Sequence, residues 1–311
     1  MWQKIKIFIA NIPVIKQLLY LSKQLSFPGF SHVPIYYVGS FFVKGLFKGD
    51  INQRSAALAF TFFLALFPLI ISFFTLIPYI PIENFQSILL NTLSEIIPAA
   101  TWDVIETIIT DIVSRPRGGL LSISFISALF LATNGMMAIS TAFNNSYHGI
   151  KSRKSFKQRM ISFLLVIILS LLMVLAIVLI ISGKVLVNYL VDNDLLRSGF
   201  AIWMLIIGKW LIVMALIFFA ISFIYFLAPS NQKYYRFISA GSTLATTMAA
   251  LLLIGFDAYV TNFTHYNVLY GSIGTLIVMM VWIYFNSMVL LIGFELNVSI
   301  YKAKLNFKKK S

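Results

Sequence analysis

The run YGSIGTLIVMMVWIYFNSMVLLIGFELN, residues 270–297, carries one ionisable side chain, Glu295, almost at its end. A single carboxylate closing a long apolar stretch has two chemical uses. It can anchor a helix end at a membrane surface, or it can form half of a charge pair inside the membrane, where ionisable groups are costly and turn inward. Arg54 opens an earlier apolar stretch at a similar depth, so these two are expected to pair or to share a network with Asn297. Lys209, deep in another apolar stretch, has a comparable choice. Its four-carbon stem reaches outward to the surface, or its ammonium pairs with Asp257 in a polar pocket.

Catalytic arrangements of other kinds are not found. The chain has no cysteine, which excludes disulfides, thiolate metal sites and thiol nucleophiles. Metal-dependent hydrolysis needs clustered histidines and carboxylates, whereas His32 and His148 stand apart from Asp50 and Glu295. His265 reads as an interfacial residue. There is no Walker loop, GxSxG, HExxH or CxxC. No catalytic residue, metal site or cofactor is therefore assigned, and the chain is not read as an enzyme.

The elements that hold these charges are set by composition. Of 311 residues 59% are apolar and only 11% charged, with a mean hydropathy of +0.90; a soluble domain carries about a quarter charged residues. Too little polar surface exists to coat a water-soluble globule, so lipid is the expected solvent. Six stretches reach the roughly 20 residues that a bilayer core requires: 55–78, 120–143, 160–182, 201–227, 237–257 and 272–298. The expected fold is an all-α integral membrane bundle of six transmembrane helices. Residues 1–54 form an amphipathic N-terminal segment, 55–301 the membrane domain and 302–311 a basic tail.

Charge orients the bundle. Nineteen of the 24 Lys and Arg fall in residues 1–54, 151–159, 229–236 and 302–311, while eight of the ten acids fall in or near the alternate connections. By the positive-inside rule both termini are cytoplasmic, which an even number of spans requires. The net charge of +14 is thus accounted for by topology and by anionic lipid headgroups at the cytoplasmic face, and nucleic acid is not an expected partner. A homo-oligomer is compatible with the sequence.

Two further segments lie on the membrane instead of crossing it. Residues 82–114 read as an outer amphipathic hairpin of two short helices hinged at Pro98. In the second, Asp103, Thr107, Thr110 and Ser114 line one face opposite Ile105, Ile108, Ile109 and Ile112. On the inner side an amphipathic helix is expected over about 35–48, and the lysine-interrupted N-terminus resembles a surface-lying helix more than a cleaved signal peptide.

Small and polar residues then fall into stripes at 100° per residue. The first span aligns Arg54, Thr61, Ala65, Pro68, Ser72 and Thr75, and Pro68 should kink it. The second aligns Ser127, Asn134, Ala138, Thr141 and Asn145; the fifth Ser242, Thr246, Ala249 and Asp257; the sixth Thr275, Trp282, Asn286, Gly293 and Asn297. Such stripes either pack helices closely or line a solvated cavity. Asn134 and Asn286, with amides near mid-depth, need interhelical partners or water. Glu295 lies about 180° from Asn286 around its helix, so one polar channel cannot contain both.

Four blocks now carry a family resemblance: RSAALAFTFFLALFPLI (54–70), AFNNSYHGIKSRKSFKQR (142–159), FLAPSNQKYYRFISAGSTLA (226–245) and YNVLYGSIGTLIVMMVWIYFNSMVLLIGFELN (266–297). In this order, over roughly residues 40–300, the chain resembles the YihY/BrkB family of bacterial inner-membrane proteins. The fourth block is the most specific, although Phe294 stands where the family has a small residue. The resemblance implies a six-helix inner-membrane protein of unsettled activity. A ribonuclease label has been attached to the family, and the scattered carboxylates and histidines argue against it here.

The expected function is transporter-like. The candidate residues of a polar-lined cavity or of an interhelical polar network are Arg54, Thr61, Pro68, Ser72, Asn134, Thr141, Asn145, Lys209, Asp257, Asn286 and Glu295, and the cavity would move or exchange a small solute or lipid-like molecule. The competing class is a non-transporting scaffold that uses its apolar surface and basic face to hold partners or organise envelope lipids.

Overall fold

The computed structural model describes residues 20–27, 29–30, 33–79, 90, 110–111, 115–146, 153–192, 199–230, 236–262 and 272–308. Almost all of the outer hairpin 82–114 and the N-terminal segment before residue 20 lie outside these. Every regular element among the described residues is helical. The main helices among them are α1 (Ile35–Lys48), α2 (Ile51–Leu76), α3 (Gly118–Asn144), α4 (Ser155–Asp192), α5 (Gly199–Leu227), α6 (Ala240–Asn262) and α7 (Ser272–Lys308).

Five of them are long and apolar enough to cross a membrane. The expected fifth span corresponds to α6, whose described apolar part is shorter, Ala240–Phe256; its 23 residues still rise about 34 Å at 1.5 Å per residue, enough for a hydrocarbon core of about 30 Å. No more than 28% of the apolar window in any of the five long spans is buried within the protein. Side chains such as Phe73, Ile126, Leu171 and Leu253 are exposed instead, the pattern of a helical membrane bundle whose outer surface meets lipid.

Chain direction alternates through the bundle. The starts of α2, α4 and α6 and the ends of α3, α5 and α7 gather at one end, with Lys48, Arg54, Arg153, Lys154, Lys302 and Lys304; this is the basic end. There α1 joins α2 through Gly49 and Asp50 alone. Asp50 sits at φ 48, a left-handed conformation that aspartate tolerates better than most residues. Main packing partners are α2 with α3 and α7, α6 with α7 and α5, α4 with α3 and α5, and α1 with α7. Lipid is as apolar as leucine, so close packing and interhelical hydrogen bonds hold such helices together more than burial does. The helix α2 runs through Pro68 without interruption; proline lacks the N–H that would bond the Leu64 carbonyl.

Candidate functional site

Beneath the basic end the six long helices enclose a central cavity of about 610 Å³. Its wall is built from aliphatic positions one helical turn apart, among them Ala65 and Leu69 on α2, Ala132 and Met136 on α3, and Leu169 and Met173 on α4. Leu69 and Met173 are also exposed on the bundle surface, so the cavity communicates with the lipid-facing side. The polar lining residues are Ser170 of α4 and Asn286 and Ser287 of α7, together with the indole of Trp282. Asn286 donates its amide Nδ2 to the Trp282 carbonyl at 2.8 Å, which ties the side chain to its own helix. A cavity lined by polar stripes was expected; the wall found here is apolar, and of the candidate residues it contains Asn286.

A second, polar pocket of about 440 Å³ lies at the basic end, against the α1–α2 corner. Lys48, Gly49, Asp50, Gln53, Arg54 and Asn145 line it. Arg54 donates Nη1 to the Gly49 carbonyl at 2.7 Å, which satisfies a carbonyl freed where α1 ends. Its charge interacts with those of Glu295 and Asp50. Glu295 is fully buried, and Gly45 of α1 packs so closely on its carboxylate that a Cβ there would collide with it. What a larger residue at 45 would disturb is the Glu295 side chain and not the local backbone conformation.

Around these groups the basic end is cross-linked by side chains that reach other helices' backbones. Arg153 donates Nε to the Ser230 carbonyl at 3.0 Å, Nη1 to Leu227 at 3.2 Å and Nη2 to Pro229 at 2.6 Å. It thereby caps α5, whose last carbonyls have no partners within the helix, and its burial there lowers the guanidinium pKa from the ordinary value. The Asn144 amide donates Nδ2 to Ser230 Oγ at 2.8 Å and accepts from the Ser230 N–H at 3.2 Å. Ser140 Oγ donates to the Ala228 carbonyl at 2.6 Å. Tyr225 Oη, on a fully buried ring, donates to the Leu290 carbonyl at 2.7 Å. Phe143 stacks on Phe294 with centroids 3.9 Å apart.

The α6–α7 contact is a close one, backbone against backbone. A Cβ on Gly241 would collide with the Gly293 carbonyl and Asn297, and one on Gly293 with Tyr225 Oη, Ala245 and the Gly241 carbonyl. Asn297 Oδ1 accepts from the Gly241 N–H at 2.9 Å, and its Nδ2 donates to Ser239 Oγ at 2.9 Å. Asn297 is therefore spent on α6 in place of the expected network with Arg54 and Glu295.

The remaining candidates divide by position. Thr61 and Thr141 donate to their own helices at Ala57 and Met137, and the Ser72 carbonyl accepts from Thr75 at 3.0 Å. Pro68 falls between the cavity-lining Leu66 and Leu69. Asn134, Thr141 and Asn145 share a line on α3 about 170° from the line through Met136 and Ile139 that faces the cavity. The Lys209 stem lies on Gly183 of α4, with its ammonium 5.5 Å from the Trp210 ring centroid; the side chain of Asp257 is outside the described residues. Tyr225, Gly241, Gly45, Asn144 and Arg153 were not singled out as site residues from sequence. A signal existed for one: Gly241 and Ala245 repeat at the four-residue interval by which small residues let membrane helices approach.

Comparison with known proteins gives the family. The chain is 31% identical over 271 residues to the ribonuclease-like protein YfkH of Bacillus subtilis, covering 85% of this chain and 96% of that protein. It is 22% identical over 263 residues to a UPF0761 membrane protein of Vibrio campbellii, covering 84% and 81%, and 26% identical over 280 residues to one of Alteromonas mediterranea, covering 86% and 88%. No solved structure matches the chain. Residues 42–311 match the family described as Virulence factor BrkB, and the chain belongs to that family of membrane proteins.

Proposed function

We propose that this protein is transporter-like and takes a lipid-like molecule from the bilayer into its central cavity. One observation carries the reading: a cavity of about 610 Å³, walled by aliphatic side chains, in communication with the lipid-facing surface. Its size is that of a small-molecule pocket, about 300–1,000 Å³. Water is a poor occupant because it needs two to four polar partners, and the wall offers few. Hydrocarbon fits. Of the two cargoes compatible with the sequence, a small solute or a lipid-like molecule, the wall favours the second.

In this reading the protein sits in the inner membrane with the basic end cytoplasmic, where its lysines and arginines meet anionic headgroups. Neither a cofactor nor nucleic acid enters. The ribonuclease-like name of the Bacillus relative is not carried over: among the described residues no three His, Cys, Asp or Glu side chains gather as a metal site would require.

The scaffold reading retains one supporting observation, the cross-linked basic end, which resists the rocking of helices that alternating access needs. Replacing Ala249, whose side chain lines the cavity, separates the two. Lipid composition is compared in cells lacking the protein and in cells overproducing it or its Ala249→Trp variant. Uptake predicts opposite shifts in one lipid class on loss and overproduction, and an Ala249→Trp protein that reaches the membrane yet behaves as a loss. Full function from Ala249→Trp would leave the scaffold.

A further inference from the structure

The wall of the central cavity restricts what its occupant can carry. Among the described residues, none that lines it is ionisable. A phosphate or carboxylate drawn inside would have no counter-charge, and an unpaired ion in a low-dielectric space is far costlier than a neutral polar group. The cations of the basic end do not supply one. Arg54 belongs to the separate corner pocket with Lys48, and it lies eight residues before Phe62, where the cavity wall begins on α2, a rise of about 12 Å along the helix.

The polar groups that do reach the cavity are directional. Asn286 commits its Nδ2 donor to the Trp282 carbonyl. Its Oδ1, an acceptor with two lone pairs, receives no hydrogen bond from the described residues. Ser170 and Ser287 bring hydroxyls, which turn to donate or accept. An acceptor and adaptable hydroxyls in one aliphatic wall match an O–H on an otherwise apolar molecule.

Resting on the uptake reading above, we infer that the cavity's ligand is an uncharged lipid bearing a hydroxyl, a long-chain alcohol in its simplest form. Its chain lies along Leu169, Met173 and Ile221, and its hydroxyl donates to Asn286 Oδ1. An ionised lipid of the same chain length is excluded by the missing counter-charge.

Photolabelling of the full-length purified chain in lipid nanodiscs tests this with three probes of one chain length, each with a mid-chain diazirine: hexadecanol, hexadecyl phosphate and hexadecane. Labelled peptides are identified by mass spectrometry. Hexadecanol should label the peptides holding Met136, Met173 and Ile221 at least about tenfold more than the phosphate, in keeping with the cost of an unpaired buried charge. In Asn286→Leu the hexadecanol signal should fall about fivefold, the value of one hydrogen bond, while hexadecane labels both proteins equally and so reports an intact cavity. Equal labelling by the phosphate, or hexadecanol labelling indifferent to Asn286→Leu, would overturn the assignment of an uncharged hydroxyl lipid and leave hydrocarbon uptake standing. Failure of all three probes to label the cavity would overturn the uptake reading itself.

Discussion

The basic end and the central cavity are built from the same six helices and differ in what their inward faces do. At the basic end polar side chains are used up between helices: Arg153, Asn144 and Ser140 on the α5–α6 connection, Asn297 on Gly241, Tyr225 on the Leu290 carbonyl. Glycines at 45, 241 and 293 let backbones and side chains approach to contact. A few turns deeper the inward faces are aliphatic and stand apart around a cavity. Helices in lipid gain little from merely burying apolar surface. A bundle can therefore be fastened at one end and left open in the middle, provided the fastening supplies enough directional contacts. Interhelical hydrogen bonds in membranes are worth only about 0.6–2 kcal/mol each, so many are needed, and they are concentrated where the cavity is not.

If the basic end is the fastening, its buried charge should be the costliest point to break. Glu295→Leu removes the buried carboxylate that acts on Arg54. Breaking a buried pair from one side costs about 3–5 kcal/mol. Arg54→Met together with Glu295→Leu leaves no stranded ion, and should cost less than the sum of the singles by about 1–3 kcal/mol. Equilibrium unfolding of the purified protein in mixed micelles measures all four corners of the cycle. Additive costs would remove Arg54 and Glu295 from the fastening and leave each as an interfacial charge.

Next in size is the α6–α7 contact. In Gly293→Val new carbons meet Tyr225 Oη and the Gly241 carbonyl, and the second of these is backbone, which cannot step aside. Overpacking of this kind costs about 1–3 kcal/mol, with the Tyr225 hydrogen bond at risk as well. A lowered unfolding midpoint is the expected result. An unchanged midpoint would show that the two helices have slack at the basic end and would erase the contrast with the cavity.

The contrast also explains which parts of the architecture sequence could reach. Spans announce themselves because every lipid-facing position must be apolar; even the short α1 was legible over 35–48 from its amphipathic pattern, and the structure has it at Ile35–Lys48. Polar stripes were harder to interpret, since a serine or asparagine looks the same whether it packs, caps or lines a void. Asn297 and Asn286 lie on one helix, yet the first binds α6 and the second faces the cavity. Arg153 was absorbed into a count of positive charges that fixes orientation, which hid its three carbonyl partners. The cavity itself was illegible because its wall is aliphatic, and an aliphatic residue facing a void cannot be told by type from one facing lipid.

The smallest expected effect is the sharpest test of the comparison. Ala249 lies two turns beyond Gly241 on α6 and lines the cavity. Ala249→Leu adds bulk, as Gly293→Val does, but into space and not into a neighbouring backbone. Filling a cavity with apolar carbons raises stability by about 0.5–2 kcal/mol where the side chain fits, so the unfolding midpoint should stay level or rise slightly. At the same time the added side chain takes volume from the occupant, and labelling of Met173 and Ile221 by a diazirine-bearing hydrocarbon should fall. A bundle that was uniformly packed would respond to both substitutions alike, with a loss of stability at Ala249 comparable to that at Gly293. Opposite signs at two positions on the same helix pair would mean that the space is tolerated, and stability forgone, for something that enters it.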